Sequence, residues 1–257
     1  MVYFVGAGSG APDLITVRGA RLLNQADQII YAGSLVNPEL LDYKKESAVV
    51  YDSAKMTLEE VIEKIQEAES AGKMTVRLHT GDPCVYGAIR EQMDELDKLN
   101  ISYEVCPGVS SFCGAASALN LEYTLPGISQ SVIITRMAGR TPVPEREGIA
   151  SFAAHHATMV IFLSTGMLKK LSEELIKGGY EADTPAAIVY KATWPDEKRV
   201  VCTAATLAEA AERENIKKTA LIIVGDVTAQ AGYERSRLYA PEFTTEFRQG
   251  TDGFVYE

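Results

Sequence analysis

No apolar run in the sequence approaches the ~20 residues that cross a bilayer. The start, Met1-Val2-Tyr3-Phe4-Val5-Gly6, is too short and too poor in basic residues for a secretory leader. No membrane partner is expected, and cytoplasmic residence follows. Basic residues are in deficit: 25 Lys and Arg stand against 35 Asp and Glu, a net charge of −10. That balance argues against nucleic acid, whose phosphates attract basic surfaces. It leaves small anionic ligands open, because exposed charges beyond ~8 Å are largely screened and a local arginine cluster still governs its own pocket. The four cysteines, Cys84, Cys106, Cys113 and Cys202, form no C-x-x-C pair, and the three histidines do not fall at zinc spacings with them. The expectation is reduced core thiols and no protein-bound metal. His155 and His156 are adjacent and would diverge on a helix. Internal repeats and low-complexity segments are also lacking.

What is present suits a globular α/β chain. At 257 residues, 46% hydrophobic and 23% charged, it is long enough for one large domain or two small ones with a real core. Short apolar runs alternate with helical patterns. The strands predicted in the first half are 2–5, 28–31, 48–51, 75–79 and 103–106. The clearest helix begins at Thr57, with Glu60 three residues later as a capping box. Leu58, Val61, Ile62 and Ile65 share its inner face, and Gly72 closes it. A second helix is predicted from Gly87 to Leu99. This alternation predicts a mostly parallel sheet covered on both sides. Pro126-Gly127 then breaks the pattern. The expected division is an N-terminal α/β domain at 1–119, a linker at 120–127, a C-terminal α/β domain at 128–240 and a tail at 241–257. The second half is predicted to hold strands at 131–135, 158–163, 186–190, 199–203 and 220–224. Its helices are expected at 167–177, ended by Gly178-Gly179, and from Thr206, with Glu209 as a second capping box. The polar stretch after about Tyr233 is expected to be mobile or to pack on a partner subunit.

Gly6-Ala7-Gly8-Ser9-Gly10-Ala11 fits the G-x-G-x-x-G/A pattern of dinucleotide sites. Such a site also wants an acid at the end of the second strand. Here 28–31 runs into Ala32-Gly33-Ser34, and Asp27 precedes the strand. Pro12-Asp13 stands where the helix would start. An NAD-dependent oxidoreductase is therefore disfavoured, and the glycines also suit a tight strand-to-helix turn.

Three further segments accompany this loop: Arg77-Leu78-His79-Thr80-Gly81-Asp82-Pro83, Pro107-Gly108-Val109-Ser110-Ser111 and Ser131-Val132-Ile133-Ile134-Thr135-Arg136. With Gly6 to Thr16 they resemble the four ordered signatures of the tetrapyrrole methylase family, from Val2 to about Val224. Thr135-Arg136-Met137-Ala138-Gly139-Arg140-Thr141-Pro142 and Tyr190-Lys191-Ala192-Thr193-Trp194-Pro195-Asp196-Glu197-Lys198 are similar to its (cobalt-)precorrin-4 C11-methyltransferase branch. The resemblance implies two α/β domains with the active-site cleft between them, and a homodimer. It implies S-adenosylmethionine as methyl donor, S-adenosylhomocysteine as product, and a tetrapyrrole (corrin precursor) as substrate. Carried over by position, donor contacts are expected at Ser9, Thr80, Gly81, Asp82, Val85, Ser110, Ser111, Leu163 and Ala192. No catalytic acid or base is transferred. The other readings within reach are methylation at another ring carbon or on diphthamide, and a non-catalytic sensor of donor or tetrapyrrole.

The residue types fit that chemistry. Gly81 lets a ligand approach the backbone. Asp82 suits an ammonium group, a ribose hydroxyl or a helix N-cap. Ser110-Ser111 suits a carboxylate at a helix start, or simple capping. Arginine grips carboxylates in a bidentate fork, so Arg136, Arg140 and Lys191 are the expected anchors of a substrate with many carboxylates. Trp194 is either a packing residue or a flat wall beside the macrocycle. Holding the nucleophilic carbon in line with the methyl group can itself supply roughly 7–11 kcal/mol of barrier reduction.

Overall fold

The structure is a computed structural model that describes residues 1–251. Contacts divide the chain into two compact units. The first is Met1–Asn120 with Ile188–Val200 and Arg213–Leu221; the second is Leu121–Ala187 with Val201–Glu212 and Ile222–Glu257. The expected tail at 241–257 lies partly outside the described residues.

In the first unit the strands are β1 (Val2–Gly6), β2 (Gln28–Tyr31), β3 (Val49–Asp52), β4 (Thr75–His79) and β5 (Tyr103–Cys106), and the helices are α1 (Val17–Gln25), α2 (Leu58–Ser70), α3 (Ile89–Lys98) and α4 (Ser111–Leu119). The sheet order is β3-β2-β4-β1-β5, and every adjacent pair is parallel. Successive side chains point to opposite faces of a strand, and two cores result. Val5, Ile29, Val76 and Leu78 pack with Leu22 and Leu23 of α1. Val2, Phe4 and Ile30 pack with Ile62 and Ile65 of α2 and Met93 and Leu96 of α3. Burying such side chains contributes roughly 1.5–3 kcal/mol each, so both faces of the sheet are covered. Because α1 leaves β1 toward one face and α3 leaves β4 toward the other, the neighbouring carboxyl ends of β1 and β4 form a switch point. Open α/β sheets bind ligands at such points.

The capping signals act locally. Thr57 and Glu60 form the reciprocal capping box of α2. Gly72, at φ +66°, ends it, with Lys73 N–H donating to Ala68 O and Gly72 N–H to Glu69 O, a Schellman ending. Helix α3 starts at Ile89 rather than Gly87, because Tyr86 and Ala88 take positive φ and fold the chain back first. Burial pushes Arg77 of β4 down to about 10, where it donates to Gln92 Oε1 and Ile30 O at 3.0 Å each. The neighbouring His79 is driven down to about 3, by burial and then by the Arg77 charge, and stays neutral.

The second sheet, with β6 (Val132–Arg136), β7 (Thr158–Phe162), β8 (Pro185–Tyr190), β9 (Lys198–Thr203) and β10 (Ala220–Val224), has the order β6-β7-β10-β8-β9. It is mixed: β6 and β7 run parallel, β7 and β10 antiparallel. Its helices are α5 (Ile149–Ala153), α6 (Leu168–Lys177) and α7 (Leu207–Arg213). Gly178 ends α6, where a Cβ would strike Ala150 of α5. Ahead of α7 the Thr206 hydroxyl meets Thr203, accepting from its N–H at 3.0 Å, instead of closing the expected box with Glu209. Pro126-Gly127 is a type II turn: Gly127 has φ +78°, and Ile128 N–H donates to Leu125 O.

The cysteines are free, but only Cys106 is a core thiol; Cys84 and Cys113 are exposed. That corrects the expectation for those two, which lie outside the sheet in the β4–α3 turn and on α4. Among the described residues no cluster of His, Cys, Asp or Glu could hold a metal, and no helix is long and apolar enough to cross a membrane.

Candidate active site

In the first unit, three loops leave the carboxyl ends of β1, β4 and β5 and meet backbone to backbone. Gly8 and Gly81 form an antiparallel bridge, Gly8 N–H to Gly81 O at 3.2 Å and Gly81 N–H to Gly8 O at 3.0 Å. Both glycines have positive φ, +83° and +62°. A Cβ on Gly6 would lie 2.5 Å from Gly108 Cα, and one on Gly108 would run into Gly81 O. Asp82 ties the same loops: Oδ1 accepts from Cys84 N–H and Oδ2 from Gly108 N–H, both at 2.8 Å. Burial alone would raise this carboxyl, but the hydrogen bonds from Cys84 and Gly108 outweigh it and hold the group below its ordinary value.

Helix α4 presents its first turn to this junction. Ser111 N would lie 3.3 Å from a Cβ on Gly81. Ser110 occupies the N-cap position, but its side chain makes no capping hydrogen bond, so simple capping does not account for it. N–H groups at a helix start favour an anion; here Cys113 N–H already donates to Ser110 O, and Ser111 N faces the junction. Ser9 and Ser110 are buried and Val85 is half-buried. Ala192 arrives from the segment after β8, also part of this unit. Eight of the nine expected donor contacts therefore belong to the first unit: Ser9, Thr80, Gly81, Asp82, Val85, Ser110, Ser111 and Ala192. Leu163 belongs to the second, just beyond β7, 65% exposed and at φ +52°. A bulky non-glycine residue there is a strained one.

The expected anchors differ from one another. Lys191 Nζ is engaged locally, 2.7 Å from Asp196 Oδ2 and over the rings of Trp194 and Tyr190. The Arg136 guanidinium donates to Met137 O, Thr141 O and Pro142 O, so it shapes the loop after β6. Met137 N–H donates to Ser164 Oγ at 2.9 Å, joining that loop to the one after β7. Arg140, at the exposed tip of the same loop, makes no hydrogen bond or ion pair among the described residues.

Sequence reasoning missed Thr193, Glu197 and Asp52. Thr193 Oγ1 lies 3.1 Å from Ser9 Oγ and accepts from Ala11 N–H at 3.0 Å. Trp194 packs on Gly10, where a Cβ would be 2.5 Å from its Nε1. Asp52 of β3 supplies the acid beside β2, but its Oδ1 accepts from Gly33 and Ala54 N–H. Helix α1 begins only at Val17, after a 3-10 turn at Pro12–Leu14, so the glycine loop does not lead straight into a helix as a dinucleotide site requires.

Residues 1–208 match the family model Tetrapyrrole (Corrin/Porphyrin) Methylases. The chain belongs to the tetrapyrrole methylase family. It is 52% identical to a cobalt-precorrin-4 C(11)-methyltransferase of Methanocaldococcus jannaschii over 98% of both chains. Its fold is similar to the crystal structure of a cobalt-precorrin-4 methyltransferase of cobalamin biosynthesis, with a TM-score of 0.87, 47% identity, and coverage of 88% of this chain and 95% of that one. It is also similar to a uroporphyrin-III C-methyltransferase from Thermus thermophilus complexed with S-adenosylhomocysteine, at TM-score 0.73 and 26% identity over 91% of this chain and 95% of that one.

Proposed function

We infer that this protein transfers a methyl group from S-adenosylmethionine to C11 of cobalt-precorrin-4 or precorrin-4, in cobalamin biosynthesis. One observation carries the reading: the 52% identity to a cobalt-precorrin-4 C(11)-methyltransferase extends over 98% of both chains. The first unit fits the donor. Gly8 and Gly81 keep the junction free of side chains, and the first turn of α4 offers the Ser111 N–H beside Gly81, suited to the donor's carboxylate. Both Asp82 oxygens already serve the loops; each has a further lone pair for the ammonium group or a ribose hydroxyl. Thr80, Val85, Ser9, Ser111 and Ala192 complete the set, and Leu163 is kept among the donor contacts on the resemblance alone.

S-adenosylmethionine supplies an electrophilic methyl group when bound. The protein's own task is to hold the acceptor carbon in line with it and to exclude water. Arg140 is assigned to the carboxylates of the tetrapyrrole, with Arg136 fixing the loop that carries it and Lys191 bracing the segment around Ala192. The assembly is taken to be a homodimer in the cytoplasm, with no nucleic-acid partner, as the charge of −10 favours.

The test is incubation with the donor and each tetrapyrrole intermediate in turn, with product analysis by mass spectrometry and NMR. A new methyl at C11 is the expected product; transfer only to another carbon or another acceptor rejects the reading. Arg140→Ala is expected to raise the KM for the tetrapyrrole about tenfold, the loss of one charge-assisted contact. S-adenosylhomocysteine affinity should stay unchanged, and an unchanged KM rejects the anchor.

A further inference from the structure

The glycine loop Gly6–Ala11 is held on its first half by its own sheet. Ala7 N–H donates to His79 O, and Gly8 is bridged to Gly81. Its second half has no strand beside it. Asn37 Nδ2 donates to Gly10 O at 3.0 Å, the Ala11 carbonyl accepts from Leu14 N–H in the turn that follows, and the Ser9 hydroxyl and the Ala11 N–H both meet one residue, Thr193.

Thr193 is itself held in an unusual state. Its φ is +68°, a region that a β-branched residue enters only under constraint. The constraint is visible: Glu197 Oε2 accepts from Thr193 N–H at 2.7 Å. Gly114 of α4 leaves room for the pair, since a Cβ there would lie 2.6 Å from Ser9 Cβ and 3.4 Å from Thr193 Cγ2. The contacts thus run from Glu197 through Thr193 to the loop that carries Ser9.

We propose that Thr193 is a positioning residue, set by Glu197, whose hydroxyl latches the second half of the glycine loop into the shape that receives the methyl donor. This rests on the donor site proposed above and assigns the latch a task separate from contact with the donor. The hydroxyl is the one group that satisfies both Ser9 Oγ and the Ala11 N–H. Without it, that N–H loses its acceptor and the loop is free to leave its bound form, which reduces apparent affinity by the fraction of time spent elsewhere.

Thr193→Val keeps the shape and the branched Cβ but removes the hydroxyl, and Thr193→Ser keeps the hydroxyl. The readouts are S-adenosylhomocysteine affinity by calorimetry, KM and kcat for the donor, and amide hydrogen exchange of the peptide containing Ala11. Thr193→Val is expected to weaken S-adenosylhomocysteine binding and raise donor KM about tenfold, with kcat within about twofold. Exchange should quicken at Ala11 and stay unchanged along β4. Thr193→Ser should bind within about threefold of the unaltered chain. Unchanged affinity in Thr193→Val overturns the latch, as does equal loss in both variants, which would mark a packing role. Should Thr193→Val fail to fold, Glu197→Leu carries the test, with the same fall in affinity expected and unchanged affinity again overturning the latch. An unaltered chain that binds no S-adenosylhomocysteine overturns the donor site itself, an outcome separate from a Thr193→Val variant that binds normally.

Discussion

Gly81→Val is expected to lower S-adenosylhomocysteine affinity about a hundredfold or more in a chain that still folds, a loss of roughly 2.7 kcal/mol. Two effects combine. At φ +62° any L side chain costs roughly 1–2 kcal/mol, and a branched one more. Beyond that, a Cβ at Gly81 would lie 3.3 Å from Ser111 N and 3.5 Å from Ser110 Cα. The valine methyls therefore cover the Ser111 N–H assigned to the donor's carboxylate. Gly81→Ala separates the two, since it carries the backbone cost with little of the coverage and should lose much less affinity. Calorimetry beside a melting curve reads both. Gly81→Val with a folded chain and unaltered affinity would reject the donor site.

Gly108→Ala is expected to destabilise the first unit by about 3 kcal/mol or more, seen as a melting point lower by roughly 6–12 °C. The methyl would run into Gly81 O and lie 2.7 Å from Gly6 Cα. Both are backbone atoms of paired or bridged segments and cannot turn aside as a flexible side chain could. Gly72→Ala provides the comparison. Gly72, unlike Gly108, has positive φ, +66°, but nothing lies within 4 Å of its Cβ position, so only a backbone cost of roughly 1–2 kcal/mol applies. If Gly108→Ala melts no lower than Gly72→Ala, the close approach of the three loops is disproved.

Much of the fold was legible because the signals were local. The Thr57–Glu60 box and the Gly72 ending need only a few consecutive residues, and they appear as read. Strand order was not legible: nothing in 75–79 says that it inserts between 2–6 and 28–31. The antiparallel β10 was hidden for the same reason, since its apolar residues read alike in either direction. The site was legible as motifs rather than as roles. Gly81 and Gly108 stood out as glycines, but their mutual contact did not. Arg136, Arg140 and Lys191 carry the same charge in sequence. Only the three-dimensional arrangement shows that two are engaged by neighbouring groups while Arg140 is exposed. Thr193 gave no signal, because its partners Ser9 and Ala11 lie more than 180 positions away.

The strand order also bears on how the chain is made. β1 is flanked by β4 and β5 alone, so during synthesis this strand has no neighbour in its sheet to pair with until residues 75–79 follow it. Pairing across that span carries a loop-closure cost before any contact repays it. The amino-terminal segment Val2–Gly6, apolar and buried once paired, waits exposed through the making of α1, β2, β3 and α2. Early capture by a chaperone, and aggregation when translation stalls before β4, are the consequences to look for.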